Sequence, residues 1–217
     1  MKSIRLTVLP FLLFAFILVA RADDATPVAK APPAAAAMDQ DWSIEIGSGF
    51  LVADVRTDLP GYTMVPADLT AAMRIDDDSL DNFLDGIVRG HTEFLFRGFG
   101  YGVIHGIESR FTGVNFGPRY NFVQPGWKWV PFVEGFVGLA FSDSQGLTIT
   151  RGQVGQGQDF AFNFGIALGT RYDINDAWFV RFTGVYSHVS NAGLSDPERK
   201  NRAMDAAGPE VSLGYRF

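Results

Sequence analysis

Residues 160–172 read FAFNFGIALGTRY, and a large apolar side chain occupies nearly every second position. Successive side chains of a β-strand point to opposite faces, so this spacing predicts a strand with one apolar face. The apolar face carries Phe160, Phe162, Phe164, Ile166, Leu168 and Tyr172, and the opposite face carries Ala161, Asn163, Gly165, Ala167, Gly169 and Arg171. Small and polar residues suit a narrow interior. The stretch therefore predicts one strand of a barrel whose aromatic outer face meets lipid.

Seven further segments of about 10 to 14 residues alternate in a similar way, which is typical of a transmembrane β-barrel. With the first stretch, the predicted strands are Trp42 to Val55, Leu80 to Arg89, His91 to Ile104, Glu108 to Phe122, Trp127 to Phe141, Phe160 to Tyr172, Trp178 to Ser190, and Ala206 to Phe217. Eight is an even number and the smallest common barrel. The sequence thus predicts an all-β fold, an eight-stranded antiparallel up-and-down transmembrane β-barrel.

The predicted fifth strand places charged residues on its inner face. Lys128 and Glu134 alternate there with outward-facing Trp127, Trp129 and Val133. Charges inside a narrow lumen need partners, and we expect these among Arg119, Arg171 and Arg181 of the neighbouring strands. A soluble β-sandwich or lipocalin-like barrel also has alternating strands, but its aromatic face would meet water.

The connections predict which end of the barrel faces which compartment. Residues 123–126 and 173–176 form short polar turns, whereas the longer links 56–79, 142–159 and 191–205 are expected at the other end. Short turns of outer-membrane barrels are periplasmic. The strand that begins at Trp178 would then run outward, and its last residues would lie at the outer-leaflet interface.

The first residues indicate export from the cytoplasm. Lys2 and Arg5 precede an apolar run, and Ala20-Arg21-Ala22 resembles a cleavage site, so residues 1–22 are predicted to be a signal peptide. Its removal would move the net charge from −6 to −9. Residues 23–40 are rich in Ala and Pro and predict a flexible leader, and residues 41–217 predict the outer-membrane barrel.

Composition excludes several classes of protein. The chain has no cysteine, which excludes disulfides and thiol catalysis. Its acidic charge disfavours nucleic-acid binding. The three histidines are far apart and lack metal-ligand spacing, so we expect neither a metal nor another cofactor. The oligomeric state does not follow from the sequence.

His188 and Ser190 end the seventh predicted strand and share its apolar face, with Cα atoms about 6.6 Å apart. A histidine can take the proton of a serine hydroxyl when a carboxylate orients the imidazole. The acidic candidates nearby are Asp196, Glu198, Asp205 and Glu210. Strand parity turns Glu210 to the lumen and Asp205 outward, unless a bulge at Gly208-Pro209 breaks that parity. Asn191 and Gly193 could donate hydrogen bonds to a developing oxyanion.

These residues resemble a known family. The stretch from His188 to Leu194, HVSNAGL, matches the H-x-S-N-A-G-L core of the PagL-type lipid A 3-O-deacylases, outer-membrane esterases with a Ser-His-acid triad on the barrel surface. Further similar stretches are GPRYNF from residue 117, WVPFVE from 129, FNFG from 162 and the terminal GYRF. The resemblance implies Ser190 as nucleophile, His188 as base and lipid A of lipopolysaccharide as substrate. The amino-terminal third matches only in architecture.

One segment departs from the family pattern. Where members often carry N-P-G-[IL]-[EN], this chain reads Asn201-Arg202-Ala203-Met204-Asp205, which puts Asp205 at the acid position with a shorter side chain. The alternatives are a phospholipase on the same barrel and a non-catalytic structural or adhesin-type barrel. A small porin fits poorly, because side chains fill an eight-stranded lumen.

Overall fold

The computed structural model describes residues 41–53, 61–76, 80, 86–144, 155–195, 199 and 202–217. The predicted signal peptide and the Ala/Pro-rich leader lie outside the described residues. No helix in the described part of the chain is long and apolar enough to span a bilayer.

The described chain forms a closed antiparallel barrel of eight strands, as the alternating segments predict. The strands are β1 (Trp42–Gly49 continued by Leu51–Ala53), β2 (Tyr62–Arg74), β3 (Gly90–His105), β4 (Arg110–Phe122), β5 (Trp129–Ser142), β6 (Phe160–Asp173), β7 (Trp178–Ser190) and β8 (Met204–Arg216). Each strand pairs with its sequence neighbours, and β1 pairs with β8 to close the sheet. Closure leaves no strand edge without a partner, which a membrane-spanning sheet requires.

The first strand is interrupted at Phe50 although its register continues unchanged. Ser48 pairs with Val211 before the break and Val52 pairs with Ala207 after it. The Phe50 N–H donates to the Pro209 carbonyl at 3.0 Å. Proline has no N–H to return a second bond, so the ladder is broken at this one position. The two segments therefore form one strand.

The second strand is not where the sequence placed it. The prediction put a strand at Leu80 to Arg89 and a loop at 56–79, but the strand is Tyr62–Arg74. Pro66 and a run of small residues weaken the alternation of this strand, and proline normally argues against a strand interior. In the predicted segment Leu80 lies in a turn, and the Arg89 N–H donates to the carbonyl of Gly86, whose φ is +80°. The described residues of 80–89 are thus turn rather than strand.

The lumen contains a compact ionic network, as the inner-face charges predict. Arg119 Nη1 lies 2.6 Å from Glu45 Oε1, and Arg119 Nη2 lies 3.0 Å from Glu134 Oε2. Arg181 Nε lies 3.1 Å from Glu45 Oε2, and its Nη2 lies 3.3 Å from Glu93 Oε2. All five side chains are buried. The network fills the interior of the barrel and connects side chains of β1, β3, β4, β5 and β7.

One inner-face residue was wrongly assigned. Lys128 was expected in the lumen beside Glu134, but it is exposed. The reason is that β5 begins only at Trp129. Lys128 lies in the preceding turn, where its carbonyl accepts the Asp173 N–H at 2.9 Å.

The two ends of the barrel differ in what they carry. The end with Trp42 and Phe217, here the termini end, also holds the links from β2 to β3, β4 to β5 and β6 to β7. The opposite end, here the site end, holds the other four links and the end of β7 at Ser190. The fifteen-residue link 75–89 therefore lies with the short turns, although long links were expected only at the opposite end.

Candidate active site

The register between β7 and β8 brings His188 and Asp205 directly opposite each other. It runs without a shift from Trp178 paired with Tyr215 to Val189 paired with Met204, so Gly208-Pro209 causes no bulge. Directly opposed residues of an antiparallel pair have Cβ atoms about 5 Å apart. His188 Nδ1 lies 2.7 Å from Asp205 Oδ1. The two side chains meet on the outer face of the barrel, where the parity of Asp205 had placed it.

Aromatic side chains flank this pair on both sides. Phe164 of β6 is the cross-strand partner of His188, and the two ring centroids are 4.6 Å apart. The Tyr186 hydroxyl donates a hydrogen bond of 2.6 Å to Asp205 Oδ1. The side chain of His188 is 22% exposed and that of Asp205 36%. The pair is thus held by three neighbouring strands yet remains accessible from the membrane side.

Ser190 is the last residue of β7, and a tight turn follows it. Ala192 and Gly193 have φ values of +56° and +78°, and the Leu194 N–H donates to the Asn191 carbonyl at 3.1 Å. Two consecutive positive φ values inside such a hydrogen bond are the pattern of a type I′ turn. The turn directs the Ala192 N–H to Ser190 Oγ, at 3.2 Å. Ala192 has a Cβ atom, so its left-handed conformation is strained.

Asn191 and Gly193, the predicted oxyanion donors, lie within this turn. The Asn191 side chain is fully buried, and its Nδ2 donates to the Gln156 carbonyl at 2.5 Å and to Ser195 Oγ at 2.8 Å. Its Oδ1 accepts the Gly193 N–H at 2.8 Å. The hydrogen bonds of Asn191 therefore hold the turn against Gln156 and Ser195, and Gly193 is half-buried beside it.

Gln156 connects the turn to the rest of the site end. Its backbone N–H donates to Glu108 Oε1 at 2.7 Å, and its side-chain amide donates to the Arg202 carbonyl at 2.6 Å. Glu108 is 1% exposed and also accepts the Tyr62 hydroxyl. These contacts, here called the Gln156 network, join three of the four links of the site end to Tyr62, the first residue of β2.

The other acidic candidates are placed differently from Asp205. Glu210 pairs with Thr183 and Gly49 on the inner side of β8, as its parity predicts. Asp196 and Glu198 lie outside the described residues. Among described side chains, Asp205 is the candidate that contacts His188.

Sequence reasoning missed two kinds of residue at this site. Tyr186 shares the outer face with His188, so strand parity could have suggested its contact with the acid. Gln156 and Glu108 are separated from Asn191 by tens of residues and lie in or beside loops. No local pattern identifies such contacts, because they arise only when separate links of the site end come together.

A groove in the outer wall is lined in part by Phe164 and Tyr186, the aromatic residues that flank His188 and Asp205. It has a volume of about 680 Å³ and is lined by Phe94, Phe116, Phe136, Phe164, Ile166 and Tyr186. Glycines at 117, 135 and 165 also line it. Phe164 and Tyr186 belong both to the groove and to the surroundings of His188 and Asp205. The groove therefore adjoins the polar pair and offers an almost entirely apolar surface.

The described residues contain no group of three or more His, Cys, Asp or Glu side chains placed to hold a metal ion.

Solved structures share the barrel. Neisserial surface protein A superposes with a TM-score of 0.55 at 12% sequence identity, covering 82% of this chain and 97% of that one. The outer membrane enzyme PagL gives a TM-score of 0.49 at 17% identity, with 78% and 97% covered. The amino-terminal barrel domain of Pseudomonas aeruginosa OprF gives 0.44 at 15% identity, with 81% and 98% covered. The likeness to Neisserial surface protein A concerns the fold alone.

A comparison with curated protein sequences finds no match. The family model described as lipid A 3-O-deacylase (PagL) matches residues 76–216. That range includes β3 to β8, with the whole turn from His188 to Leu194 and the opposing Asp205. Both the resemblance seen in the sequence and the predicted bacterial outer-membrane location are thereby confirmed. The chain belongs to the lipid A 3-O-deacylase (PagL) family of outer-membrane ester hydrolases.

Proposed function

We propose that Ser190, His188 and Asp205 form the catalytic triad of this lipid A deacylase. The observation that carries the proposal is the 2.7 Å contact between His188 Nδ1 and Asp205 Oδ1 on the outer wall, beside the end of β7. A purely structural barrel gains nothing from a pair of polar side chains on its lipid-facing side, where polar groups are costly. Their position suits a substrate that is itself a membrane lipid.

The contact with Asp205 determines which ring nitrogen of His188 can accept a proton. With a proton on Nδ1 donated to Asp205, His188 carries its lone pair on Nε2 and can accept the proton of the Ser190 hydroxyl. Ser190 Oγ then forms a bond to the carbonyl carbon of the 3-O ester, and the ester oxygen leaves with the proton from Nε2. Water, deprotonated in turn by His188, attacks the carbonyl carbon of the acyl-enzyme. The bond to Ser190 Oγ then breaks, Oγ takes the proton back from His188, and the fatty acid is released.

The turn after the serine is our candidate for stabilising the oxyanion. Its Ala192 N–H already lies 3.2 Å from Ser190 Oγ. When Oγ bonds to the ester carbonyl carbon, the negative charge develops on the carbonyl oxygen, which would lie close to the same turn. Gly193 would contribute its N–H by exchanging Asn191 Oδ1 for the oxyanion. Asn191 would contribute mainly by fixing the turn, because its amide already donates to Gln156 and Ser195.

The outer groove is our candidate for the acyl chain that is removed. Its wall is almost entirely apolar, and it adjoins the pair through Phe164 and Tyr186. Lipid A would reach it by lateral diffusion in the outer leaflet, provided that the short turns face the periplasm. Hydrolysis should therefore require substrate in a membrane or micelle.

The test is mass spectrometry of lipid A from cells that make the wild-type protein or Ser190→Ala at equal outer-membrane abundance. We expect lipid A to lose one 3-O-linked acyl chain in cells with the wild type and to remain intact with Ser190→Ala. The same loss with both proteins would remove Ser190 from the mechanism.

His188→Ala gives an independent check, because it removes the base but keeps the hydroxyl. We expect it to leave lipid A intact as well. Intact lipid A in all three strains, with every barrel correctly folded, would favour the phospholipase or the non-catalytic barrel. Analysis of glycerophospholipids from the same cells separates those two, since only a phospholipase produces lyso-lipids.

A further inference from the structure

Tyr186 occupies a position between the acid and the groove. It lies two residues before His188 on the same face of β7, and its strand partner on β8 is Ala207, two residues after Asp205. Diagonal neighbours on one face of an antiparallel pair are about 7–8 Å apart, within reach of an aromatic side chain. The Tyr186 hydroxyl donates to Asp205 Oδ1 at 2.6 Å, the same oxygen that contacts His188.

The ring of this tyrosine faces the proposed substrate. It is 41% exposed on the outer wall and lines the apolar groove together with Ile166, its partner on β6. One side chain thus presents its apolar body to the groove and its hydroxyl to the acid. Asp205 has a short side chain, so a second donor restricts a carboxylate with little reach of its own.

We infer that Tyr186 is a positioning residue that couples occupancy of the groove by an acyl chain to the orientation of Asp205. This inference rests on the proposed triad and groove. A chain lying in the groove covers the exposed part of the ring and restricts the rotation of the side chain. The hydroxyl then holds Asp205 Oδ1 against His188 Nδ1 while the ester is in place. Long acyl chains are therefore cleaved faster than short ones for a reason beyond tighter binding.

The experiment compares esters of different chain length with the purified full-length protein in detergent micelles. p-Nitrophenyl butyrate and p-nitrophenyl laurate share a leaving group and differ only in the acyl chain. In the wild type we expect kcat to be higher for laurate. In Tyr186→Phe the ring remains in the groove but the hydrogen bond is lost. The kcat ratio of laurate to butyrate should fall roughly tenfold, the size expected for one hydrogen bond to a charged group, while KM for laurate stays within about twofold.

Tyr215→Phe is the matched control. Tyr215 is also an outward-facing tyrosine, 42% exposed, but it lies at the termini end and packs against Trp178 with ring centroids 4.9 Å apart. Removal of its hydroxyl should leave the kcat ratio unchanged. Heat-modifiable gel mobility shows that each variant has folded.

Two results would overturn the coupling. One is an unchanged kcat ratio in Tyr186→Phe, and the other is an equal loss of kcat for both esters, which would make the hydroxyl a fixed support of the acid. Failure of the triad itself is recognised separately, because hydrolysis would then persist in Ser190→Ala.

Discussion

The lumen of the barrel and its outer wall at the site end both pair a basic side chain with an acidic one. The two regions differ in how deeply these pairs are buried and in how many partners each side chain has. In the lumen, Arg119 and Arg181 are each 1% exposed and bind several carboxylates at once. On the wall, His188 and Asp205 form a single pair, are 22% and 36% exposed, and adjoin a strained turn. A buried network fills and stabilises a narrow barrel. Backbone strain often accumulates at functional sites, so the exposed pair beside the strained turn is consistent with the triad proposed above.

The largest expected effect is on catalysis, from Asp205→Asn. An amide cannot stabilise the imidazolium and can favour the wrong tautomer of His188, so the rate of deacylation should fall by about 10³- to 10⁴-fold. Stability should change little, because Asp205 is partly exposed. Single-turnover rates with lipid A in micelles measure the first quantity, and urea unfolding of the barrel in lipid vesicles measures the second.

Glu210→Gln serves as the control on the same strand. It neutralises a carboxylate that lies on the inner side of β8, and the deacylation rate should change no more than a few-fold. A large loss with Glu210→Gln, Asp196→Asn or Glu198→Gln and little loss with Asp205→Asn would identify a different acid and weaken the contrast between wall and lumen.

The next effect is on stability and concerns the lumen. Arg119→Met removes a buried cation that Glu45, Glu93 and Glu134 share. Glu45 and Glu93 keep Arg181, and Glu134 keeps Arg97. Breaking a buried ion pair from one side typically costs about 3–5 kcal/mol. The urea midpoint of unfolding should fall accordingly, whereas folded Arg119→Met should hydrolyse lipid A at nearly the wild-type rate.

Arg110→Met is the corresponding surface change, because Arg110 is exposed at the start of β4. Its free energy of unfolding should move by less than about 0.5 kcal/mol. A rate loss in folded Arg119→Met would show that the lumen also positions the triad, and the division between the two regions would then fail.

The sequence predicted those parts of the molecule that depend on alternation within one strand. The two faces of β6 and β7 and the outward position of Asp205 follow from period-two spacing. The second strand was missed, because Pro66 and small residues hide its alternation. The contact of Asn191 with Gln156 could not be predicted either, since it joins different loops. Catalytic roles remain predictions, now supported by the 2.7 Å distance between His188 Nδ1 and Asp205 Oδ1.

A smaller effect is expected from Glu108→Gln, which tests whether the buried interior supports the wall through the Gln156 network. A glutamine offers one acceptor oxygen where Glu108 accepts from both the Gln156 N–H and the Tyr62 hydroxyl. A buried donor would lose its partner, at a cost of about 1–3 kcal/mol in stability. We expect kcat to fall roughly tenfold, as 1.4 kcal/mol implies if the serine turn shifts, with KM unchanged.

Asp143→Asn is the control for Glu108→Gln. Asp143 is a carboxylate at the same end that accepts from Ser109 on the exposed surface. It has no described contact with Gln156 or Asn191, and kcat should be unaffected. Equal kcat in Glu108→Gln and the wild type would show that the Gln156 network does not support catalysis.

The smallest effect tests the strain itself. Ala192 has a φ of +56°, a conformation that glycine adopts without steric cost. Ala192→Gly should therefore raise the free energy of unfolding by about 0.5–1 kcal/mol, after allowance for the greater flexibility of glycine in the unfolded chain. The same change relaxes the turn that directs the Ala192 N–H to Ser190 Oγ, so kcat should fall a few-fold. Urea unfolding and single-turnover hydrolysis on the same preparation measure both quantities. A variant that is more stable and equally fast would show that the strain has no part in catalysis, whereas opposite changes would show that the exposed site keeps its geometry at the expense of stability.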